Sequence, residues 1–267
     1  MKKRTKEYSR ILFISLVFLC ISGFSSDRML LSTQVDISSF PTRGRVGVVY
    51  DGDTIKVRFD DGQEWRVRLI GIDAPEIGDV REDMKFMAEM SKRFTFYHLY
   101  RKKIRLSYES ELFDSYGRVL AYIWTDEKNL FNRFIISEGF ASAYANFRFS
   151  YREEFKEIEK EARQQEKGYW KLGNYTRIRT EEIKSHIGQI VTLEYRCVSV
   201  RLKGKLYYLN SEDGEFSVLI PKENLSLFPL PQFYRGKVLS VTGFLEEYKG
   251  KPQIMAFFPN QIEMKEN

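Results

Sequence analysis

Three short clusters of charged residues hold the side chains that could perform chemistry. They span residues 51–54 (DGDT), 68–76 (RLIGIDAPE) and 116–118 (YGR). Asp53 and Asp73 are hard oxygen ligands, and with main-chain carbonyls and water they suit a cation such as Ca²⁺. Arg68 and Arg118 can present planar donor forks to phosphate oxygens as negative charge builds on them. Glu76 lies three residues beyond Asp73 and could orient or deprotonate a water molecule.

Each cluster taken alone has an ordinary structural explanation. Asp-Gly pairs are common in turns, Pro75 is a common strand terminator, and arginines are frequent at surfaces. Together, the clusters contain two candidate metal-binding carboxylates, two candidate phosphate-binding arginines and a candidate base. This set is complete for the hydrolysis of a phosphodiester bond.

The hydrophobic pattern indicates the elements that must position these residues. Apolar and polar residues alternate between residues 45 and 70, and Asp61-Gly62 provides a hairpin turn, so three short strands are predicted there. Because the third strand also alternates, Arg68 is expected on the face that points away from the core. The remaining elements of this half are predicted as strands at 104–108 and 118–124 and helices at 81–99, 131–139 and 151–167.

The composition limits the possible classes of function. The 267 residues carry a formal net charge of +6, of which residues 1–26 contribute four charges. The nearly neutral remainder argues against a nucleic-acid binder held by bulk charge. The two cysteines, Cys20 and Cys197, exclude a disulfide scaffold and a cysteine-based zinc site. The two histidines, His98 and His186, lie outside every cluster, which excludes a histidine–metal nuclease.

Residues 1–26 have the pattern of a secretory signal peptide. A basic start precedes an apolar run of 14 residues, and small residues follow it. The run is short for a transmembrane helix. We expect cleavage near Ser25 and a secreted or cell-envelope protein; acylation of Cys20, as in a lipoprotein, and an uncleaved membrane anchor are the alternatives. Residues 27–43 are predicted to form a linker.

The stretch from residue 44 to residue 170 resembles the staphylococcal (micrococcal) nuclease family, also called thermonucleases. The matching segments, in the expected order, are VYDGDTIKV, VRLIGIDAPE, DSYGRVLAYIW, NLFNRFIISEGFA and KGYW. The resemblance implies an OB-type five-stranded barrel with three helices, over residues 44–173. It also implies a Ca²⁺-dependent endonuclease that cleaves DNA and RNA, preferably single-stranded or locally open, to 3′-phosphate ends.

The same resemblance implies roles for individual residues. The metal ligands would be Asp53, Asp73 and the main-chain oxygen of Thr54. The residues that bind the phosphate or activate water would be Arg68, Arg118 and Glu76. Asp51 corresponds to an acidic position beside the metal, and Tyr116 and Tyr144 correspond to tyrosines near the nucleotide. Ala74 departs from the type enzyme, which has a hydroxyl residue at that position.

Residues 181–264 are predicted to form a second, small OB-like β-barrel. Five or six short strands occur there, separated by turns at Lys203-Gly204, Asp213-Gly214 and Lys249-Gly250. Bases stack on aromatic planes beside cations. Side chains that could form such a face are Tyr195, Tyr207, Tyr208, Phe216, Lys203 and Lys205. The alternative is that most of these aromatic rings belong to the barrel core.

The combined prediction is an exported, Ca²⁺-dependent endonuclease with a C-terminal OB-like accessory domain. The substrates would be DNA and RNA, and no feature indicates an obligate protein partner. The alternative is a non-catalytic nucleic-acid-binding protein, or a membrane-tethered scaffold, on the same fold. The presence of both aspartates, both arginines and Glu76 favours the enzyme.

Overall fold

The computed structural model describes residues 37–78, 82–171 and 173–265. The predicted signal peptide at 1–26 and residues 27–36 of the predicted linker lie outside the described residues. At the start of the described chain, Phe40 packs edge-on against Trp65 and Tyr108, and the Tyr108 hydroxyl donates a hydrogen bond to the carbonyl of Pro41 at 2.5 Å. In the described ranges, no helix has the length and hydrophobicity needed to span a bilayer.

The first half of the described chain forms a closed five-stranded barrel with three helices. Its elements, in chain order, are β1 (Arg43–Val49), β2 (Thr54–Phe59), β3 (Glu64–Leu69), β4 (Ile72–Asp73), α1 (Glu82–Leu99), β5 (Lys103–Ser107), β6 (Val119–Trp124), α2 (Phe131–Ser137), β7 (Ser142–Ala143) and α3 (Arg152–Gln164). The barrel closes in the order β1-β2-β3-β6-β5, and β3 and β6 run parallel. This confirms the predicted OB-type barrel with three helices.

Alternating burial explains why these segments form a barrel. Inward-facing Val46, Val57 and Val67 are fully buried, whereas the polar residues between them reach the outer surface. The β2–β3 hairpin turns at Asp61, whose carboxylate accepts a hydrogen bond from the main-chain N–H of Gln63 at 2.9 Å. The register of β2 against β3 then sets Thr54 opposite Arg68. Two residues of the candidate site are therefore cross-strand neighbours.

The second half of the described chain forms an eight-stranded sheet. Its strands are β8 (Thr176–Ile178), β9 (Ile190–Arg196), β10 (Ser199–Lys203), β11 (Leu206–Asn210), β12 (Ser217–Pro221), β13 (Val238–Tyr248), β14 (Lys251–Met255) and β15 (Ile262–Met264). The pairing order is β10-β11-β12-β14-β13-β9-β8, and β15 pairs with β13. Only Cys197 and Val198 separate β9 from β10 in the chain. The two segments therefore form one bent strand, whose first part pairs with β13 and whose second part pairs with β11.

The two halves have the same strand topology. In the first half, β1, β2 and β3 form a meander, β3 pairs in parallel with β6, and β5 pairs with β1. In the second half, β10, β11 and β12 form the meander, β12 pairs in parallel with β14, and β13 pairs with β9. The OB-like character predicted for the C-terminal region is thereby confirmed. Tyr195 and Phe216 are buried in its core, 5.2 Å apart between ring centroids, so these two rings are unavailable for base stacking.

Helix α1 packs against β13, so that the two halves share part of one hydrophobic core. The ring of Phe244, buried in β13, lies 6.0 Å from Phe94 and 5.6 Å from Phe140, centroid to centroid. At the same contact, the guanidinium of Arg93 forms an ion pair with the buried carboxylate of Glu246. The second half therefore supports the helix against which the turn at Gly52 packs.

Candidate active site

The turn between β1 and β2 carries the first two acidic residues of the site. The main-chain N–H of Asp53 donates to the Asp51 carboxylate at 3.1 Å, which holds the turn closed. Helix α1 lies against the turn, and the Thr95 hydroxyl donates to the carbonyl of Gly52 at 2.7 Å. A Cβ atom at Gly52 would lie 1.9 Å from the Ser91 hydroxyl oxygen. Only glycine therefore fits where the turn meets the helix.

Arg68, at the end of β3, lies between two carboxylates. Its guanidinium forms an ion pair with Asp53, and its Nη2 donates to Asp73 Oδ1 at 3.1 Å. The main-chain N–H of Ala74 donates to Asp53 Oδ2 at 2.7 Å, and that of Leu69 donates to the Asp53 carbonyl at 2.9 Å. The predicted outward face of Arg68 is correct, but its side chain is only 14% exposed because these carboxylates cover it.

The strand pair β4–β7 positions Asp73. Asp73 lies opposite Ser142 in this two-stranded ladder, and its side chain is 56% exposed. Asp53, by contrast, is buried. The two carboxylates that contact Arg68 therefore lie at the floor and at the rim of the same site, where the rim carboxylate remains open to water.

Arg118 is held in place by Asp114, a residue that sequence reasoning did not identify. The Asp114 carboxylate accepts the Arg118 Nε–H at 2.6 Å, and it also accepts the main-chain N–H groups of Tyr116 and Arg118, each at 2.9 Å. Gly117 completes the turn with φ +72°. An aspartate two and four residues before its N–H donors is the signature of an Asx turn, which is the sequence signal that could have revealed it.

The hydroxyl of Thr54 links the two arginines. It donates to Asp53 Oδ1 at 2.9 Å and accepts a contact from Arg118 Nη1 at 3.3 Å. The family resemblance concerned only the main-chain oxygen of Thr54, so the role of its side chain was missed. Arg68 contacts Asp53 directly and Arg118 reaches it through Thr54. The structure thus brings both predicted arginines to one carboxylate.

Burial and neighbouring charges have opposite effects on the pKa values of the groups in this site. Burial raises the pKa of Asp51, while hydrogen bonds from Thr54 and the charges of Arg68 and Arg118 act against that rise. Burial lowers the pKa of the Arg68 guanidinium, and the neighbouring Asp73 carboxylate opposes this effect. Burial would also raise the pKa of Asp114, but hydrogen bonds from Arg118 outweigh it and lower that pKa.

Three further predicted residues lie at the rim. Glu76 is exposed, in the loop that follows Asp73. The ring of Tyr116 is 83% exposed, and the Arg118 guanidinium carbon lies 5.3 Å from its centroid. Tyr144 follows β7, and its N–H donates to the carbonyl of Gly71 at 2.9 Å. Tyr144 is thereby tied to the same edge as Asp73, beside the site.

The donor atoms at this site fit a hard divalent cation bound largely by water. Asp53 and Asp73 contribute carboxylate oxygens, and the carbonyl of Thr54, which accepts the main-chain N–H groups of Tyr50 at 3.0 Å and Asp51 at 3.5 Å, lies in the same turn. In the part of the chain that the structure describes, no three His, Cys, Asp or Glu side chains converge as a metal-binding group. A cation here would thus have few protein ligands.

Two kinds of comparison with known proteins, a family model and individual relatives, point to the same family. A model of the family described as "Staphylococcal nuclease homologue" matches residues 66–172. The chain is 34% identical to a thermonuclease of Staphylococcus intermedius over 164 residues, which are 60% of this chain and 94% of that protein. It is 36% identical to a thermonuclease of Staphylococcus hyicus over 123 residues, or 46% of this chain and 72% of that protein. An uncharacterized endonuclease of Escherichia coli is 32% identical over 128 residues, covering 48% of this chain and 76% of that protein.

Proposed function

Because this chain belongs to the staphylococcal nuclease family, we propose that it is an exported, Ca²⁺-dependent endonuclease acting on DNA and RNA. Nuclease activity on nucleic acid is the function of the family; the metal, the export and the products belong to the proposal. One observation carries the proposal. Arg68 and Arg118 converge on the carboxylate of Asp53, one by direct contact and one through Thr54.

The proposed ligands of the cation are Asp53, Asp73 and the carbonyl oxygen of Thr54, with Asp51 beside them. Ca²⁺ accepts such an irregular set of oxygen ligands more readily than Mg²⁺, which requires near-octahedral geometry. When bound, the cation would supply positive charge to the phosphate and to a nearby water molecule. Arg68 also contributes positive charge between the two aspartates.

The side chains of the site divide the remaining tasks. Arg68 and Arg118 bind the non-bridging phosphate oxygens and stabilise the negative charge that grows there in the transition state. Glu76 accepts a proton from the water that attacks phosphorus. The bond from phosphorus to the 5′ oxygen breaks and that oxygen takes up a proton, which leaves a 3′-phosphate and a 5′-hydroxyl. This order of bond breaking follows the family resemblance.

The exposed rim fits an extended substrate strand. Tyr116 offers an open ring beside Arg118, and Tyr144 lies beside Asp73 at the other edge, so both can contact sugars or bases near the scissile phosphate. A paired duplex presents stacked bases that such rings cannot reach. We therefore propose a preference for single-stranded or locally open nucleic acid.

The compartment and the domain division are also part of the proposal. The signal-like residues 1–26 support export to the medium or the cell envelope, with Cys20 as a candidate lipid attachment site. Residues 44–173 and 181–264 are proposed as a nuclease domain and an OB-like domain.

A digestion assay tests the proposal. The protein is incubated with DNA and with RNA in Ca²⁺, in Mg²⁺ alone and in chelator, and the product ends are examined by labelling. The expected result is cleavage of both polymers in millimolar Ca²⁺, little cleavage in Mg²⁺ and none in chelator, with phosphate at the 3′ ends. Equal rates in the two ions would contradict the calcium assignment. Absence of cleavage in every condition would support the non-catalytic alternative.

A further inference from the structure

A second concave site lies at the other end of the nuclease barrel. A cavity of about 550 Å³ is bounded by the end of α1, the loop after β6 and the helix α2. Its lining residues include the cations and polar side chains His98, Lys102, Thr125, Lys128, Asn129 and Arg133, with Phe134 on the wall. The volume lies within the range of small-molecule sites. No Asp or Glu is among the residues that line it.

This cavity is separate from the candidate active site. Arg118 immediately precedes β6 and Thr125 immediately follows it. A strand of this length spans roughly 20 Å. No residue that lines the cavity belongs to the candidate active site, so the two sites are built from different side chains.

Two of the basic residues at the cavity, both lysines, are not held in ion pairs. Lys102 and Lys128 are exposed, and neither forms an ion pair within the described ranges. Arg133 differs, since its Nε lies 2.5 Å from a Glu154 carboxylate oxygen. Two acids precede Lys128 in its loop, Asp126 and Glu127, and neither is among the residues that line the cavity. Asp126 accepts hydrogen bonds from the main-chain N–H groups of Lys128 and Asn129, both at 2.9 Å, and its charge also acts on Lys128. The positive charge that the cavity wall presents without an ion pair comes from Lys102 and Lys128.

The opposite wall presents flat, unsaturated surfaces. Phe134 is 38% exposed, and its ring centroid lies 5.0 Å from that of His98 in an edge-to-face arrangement. Burial, assisted by the charge of Lys102, lowers the pKa of His98 to about 4. The imidazole is thus uncharged at neutral pH and can both donate and accept a hydrogen bond.

We propose that this cavity binds a nucleotide, with the phosphate at Lys102 and Lys128 and the base against Phe134 and His98. A phosphate matches two unpaired cations in a site without carboxylates. A planar ring with hydrogen-bonding edges matches an exposed phenyl ring beside a neutral imidazole. An inorganic anion alone would leave the aromatic wall unused.

The nucleotide could be free or could be one unit of a long substrate strand. The second source rests on the proposed nuclease function. A strand cleaved at Arg118 would have to extend roughly 20 Å to reach the cavity. The cavity would then increase the affinity for long substrates and leave the shortest ones unaffected.

Calorimetry with adenosine monophosphate tests the binding, using the full chain in chelator. The double variant Lys102→Ala/Lys128→Ala is compared with the wild type and with a matched control, Lys160→Ala/Lys184→Ala, which removes two exposed lysines elsewhere. We expect the first variant to lose about tenfold or more in affinity and the control to retain wild-type affinity. Equal affinity in all three proteins would overturn the proposal.

Two further experiments distinguish the contribution of the base from that of the phosphate, and a free nucleotide from one that belongs to a substrate strand. Phe134→Leu should weaken binding of adenosine monophosphate while leaving that of inorganic phosphate unchanged; an equal loss for both probes would contradict the base contact. A higher KM of the lysine variant on a long single strand, with unchanged cleavage of a dinucleotide, would identify the strand as the source. If the wild type cleaves neither substrate, the proposed nuclease function fails, while the calorimetry still decides the cavity.

Discussion

At the scale of single residues, the candidate site depends on hydrogen bonds to carboxylates as much as on the predicted catalytic groups. The Asp53 carboxylate forms an ion pair with Arg68 and accepts hydrogen bonds from the Thr54 hydroxyl and the main-chain N–H of Ala74. The Asp114 carboxylate accepts three hydrogen bonds from the turn that follows it. These bonds limit the positions that each guanidinium can adopt. A preorganised donor fork stabilises developing charge without having to reorient during the reaction.

Glu76→Gln tests the proposed base. The substitution preserves shape and removes the proton acceptor, so kcat on DNA should fall by about 10²-fold or more while KM changes little. Steady-state kinetics in saturating Ca²⁺ gives both constants. Glu212→Gln, in an exposed turn of the second half, is the control and should retain full activity. A kcat near that of the wild type would show that another group accepts the proton.

Asp114→Asn tests the positioning of Arg118. The variant keeps an oxygen for the main-chain donors but loses the charge that pairs with the Arg118 Nε–H. We expect kcat to fall by about tenfold, because the loss of a charge-assisted hydrogen bond is worth about 1.5 kcal/mol or more. Asp213→Asn removes an equivalent turn-forming carboxylate in the second half and should leave kcat unchanged. Equal kcat in both variants would exclude the positioning role.

At the scale of elements, α1 connects the site turn to the rest of the molecule. The Thr95 hydroxyl donates to the carbonyl of Gly52 and the Ser91 hydroxyl to that of Phe140, and one turn further along the helix His98 lines the cavity. The predicted apolar spacing of this helix is confirmed by buried Met90 and Phe94. The polar residues of the same helix are the ones that position the site.

Gly52→Ala tests the close contact between the turn and α1. A Cβ atom there meets the Ser91 hydroxyl at 1.9 Å, so the turn or the helix must move, at a cost of about 1–3 kcal/mol in the free energy of unfolding. We expect activity to fall as well, because Asp53 follows directly. Gly47→Ala is the control, since its Cβ would meet only the carbonyl of Lys56 at 3.9 Å. Urea unfolding and kinetics on both variants measure the difference, and equal stability would contradict the packing argument.

The free energy of unfolding should depend on pH because of His98. Burial lowers its pKa to about 4, so the unfolded chain binds a proton that the folded chain does not between about pH 6.5 and pH 4. Its contribution is therefore complete above pH 6.5 and is lost as the pH falls toward 4. The loss is at most about 3 kcal/mol and smaller because the ring is partly exposed.

Urea unfolding between pH 7 and pH 4 measures this effect. The variant His98→Gln cannot bind the proton, so its free energy of unfolding should fall less over that interval than that of the wild type. Parallel curves for the two proteins would show that other groups govern the acid sensitivity.

At the scale of the whole molecule, a closed barrel and a sheet of the same strand topology share a buried contact. Phe244 of β13 lies within the core of the first half, and Arg93 of α1 pairs with Glu246 in the second. Breaking this ion pair by removing one partner would leave a buried charge. The second half therefore supports the helix on which the site turn rests, whatever else it binds.

Phe244→Ala tests the shared core. Removing a buried phenylalanine ring typically costs about 3–5 kcal/mol in the free energy of unfolding. Because the ring contacts both Phe94 and Phe140, the first half should lose stability along with the second. Tyr248→Ala, at the exposed end of the same strand, should cost less than 1 kcal/mol. Two unfolding transitions, with only the second one shifted, would contradict a shared core.

The local pattern was sufficient for most elements but not for their lengths. The helix predicted at 151–167, for example, ends at Gln164 in the structure. In the second half, β13 runs through Gly243 to Tyr248; a Cβ atom at Gly243 would lie 2.5 Å from Ile254, so the glycine permits close approach of β14. The two-residue strands β4 and β7 were missed, because so short a ladder has no period of its own and exists only through its partner.

The sequence by itself indicated the strands, the three helices and the three clusters of site residues, because alternation and turn chemistry are local properties, and the family resemblance of its motifs implied the barrel. Only the tertiary structure decided that Arg68 lies under two carboxylates, that Asp114 holds Arg118, and that Phe244 completes the first core. The cavity at Lys102 and Lys128 was invisible for the same reason. Apart from the Asp114 turn, which is local, these contacts join residues whose spacing along the chain carries no periodic signal, so packing brings them together.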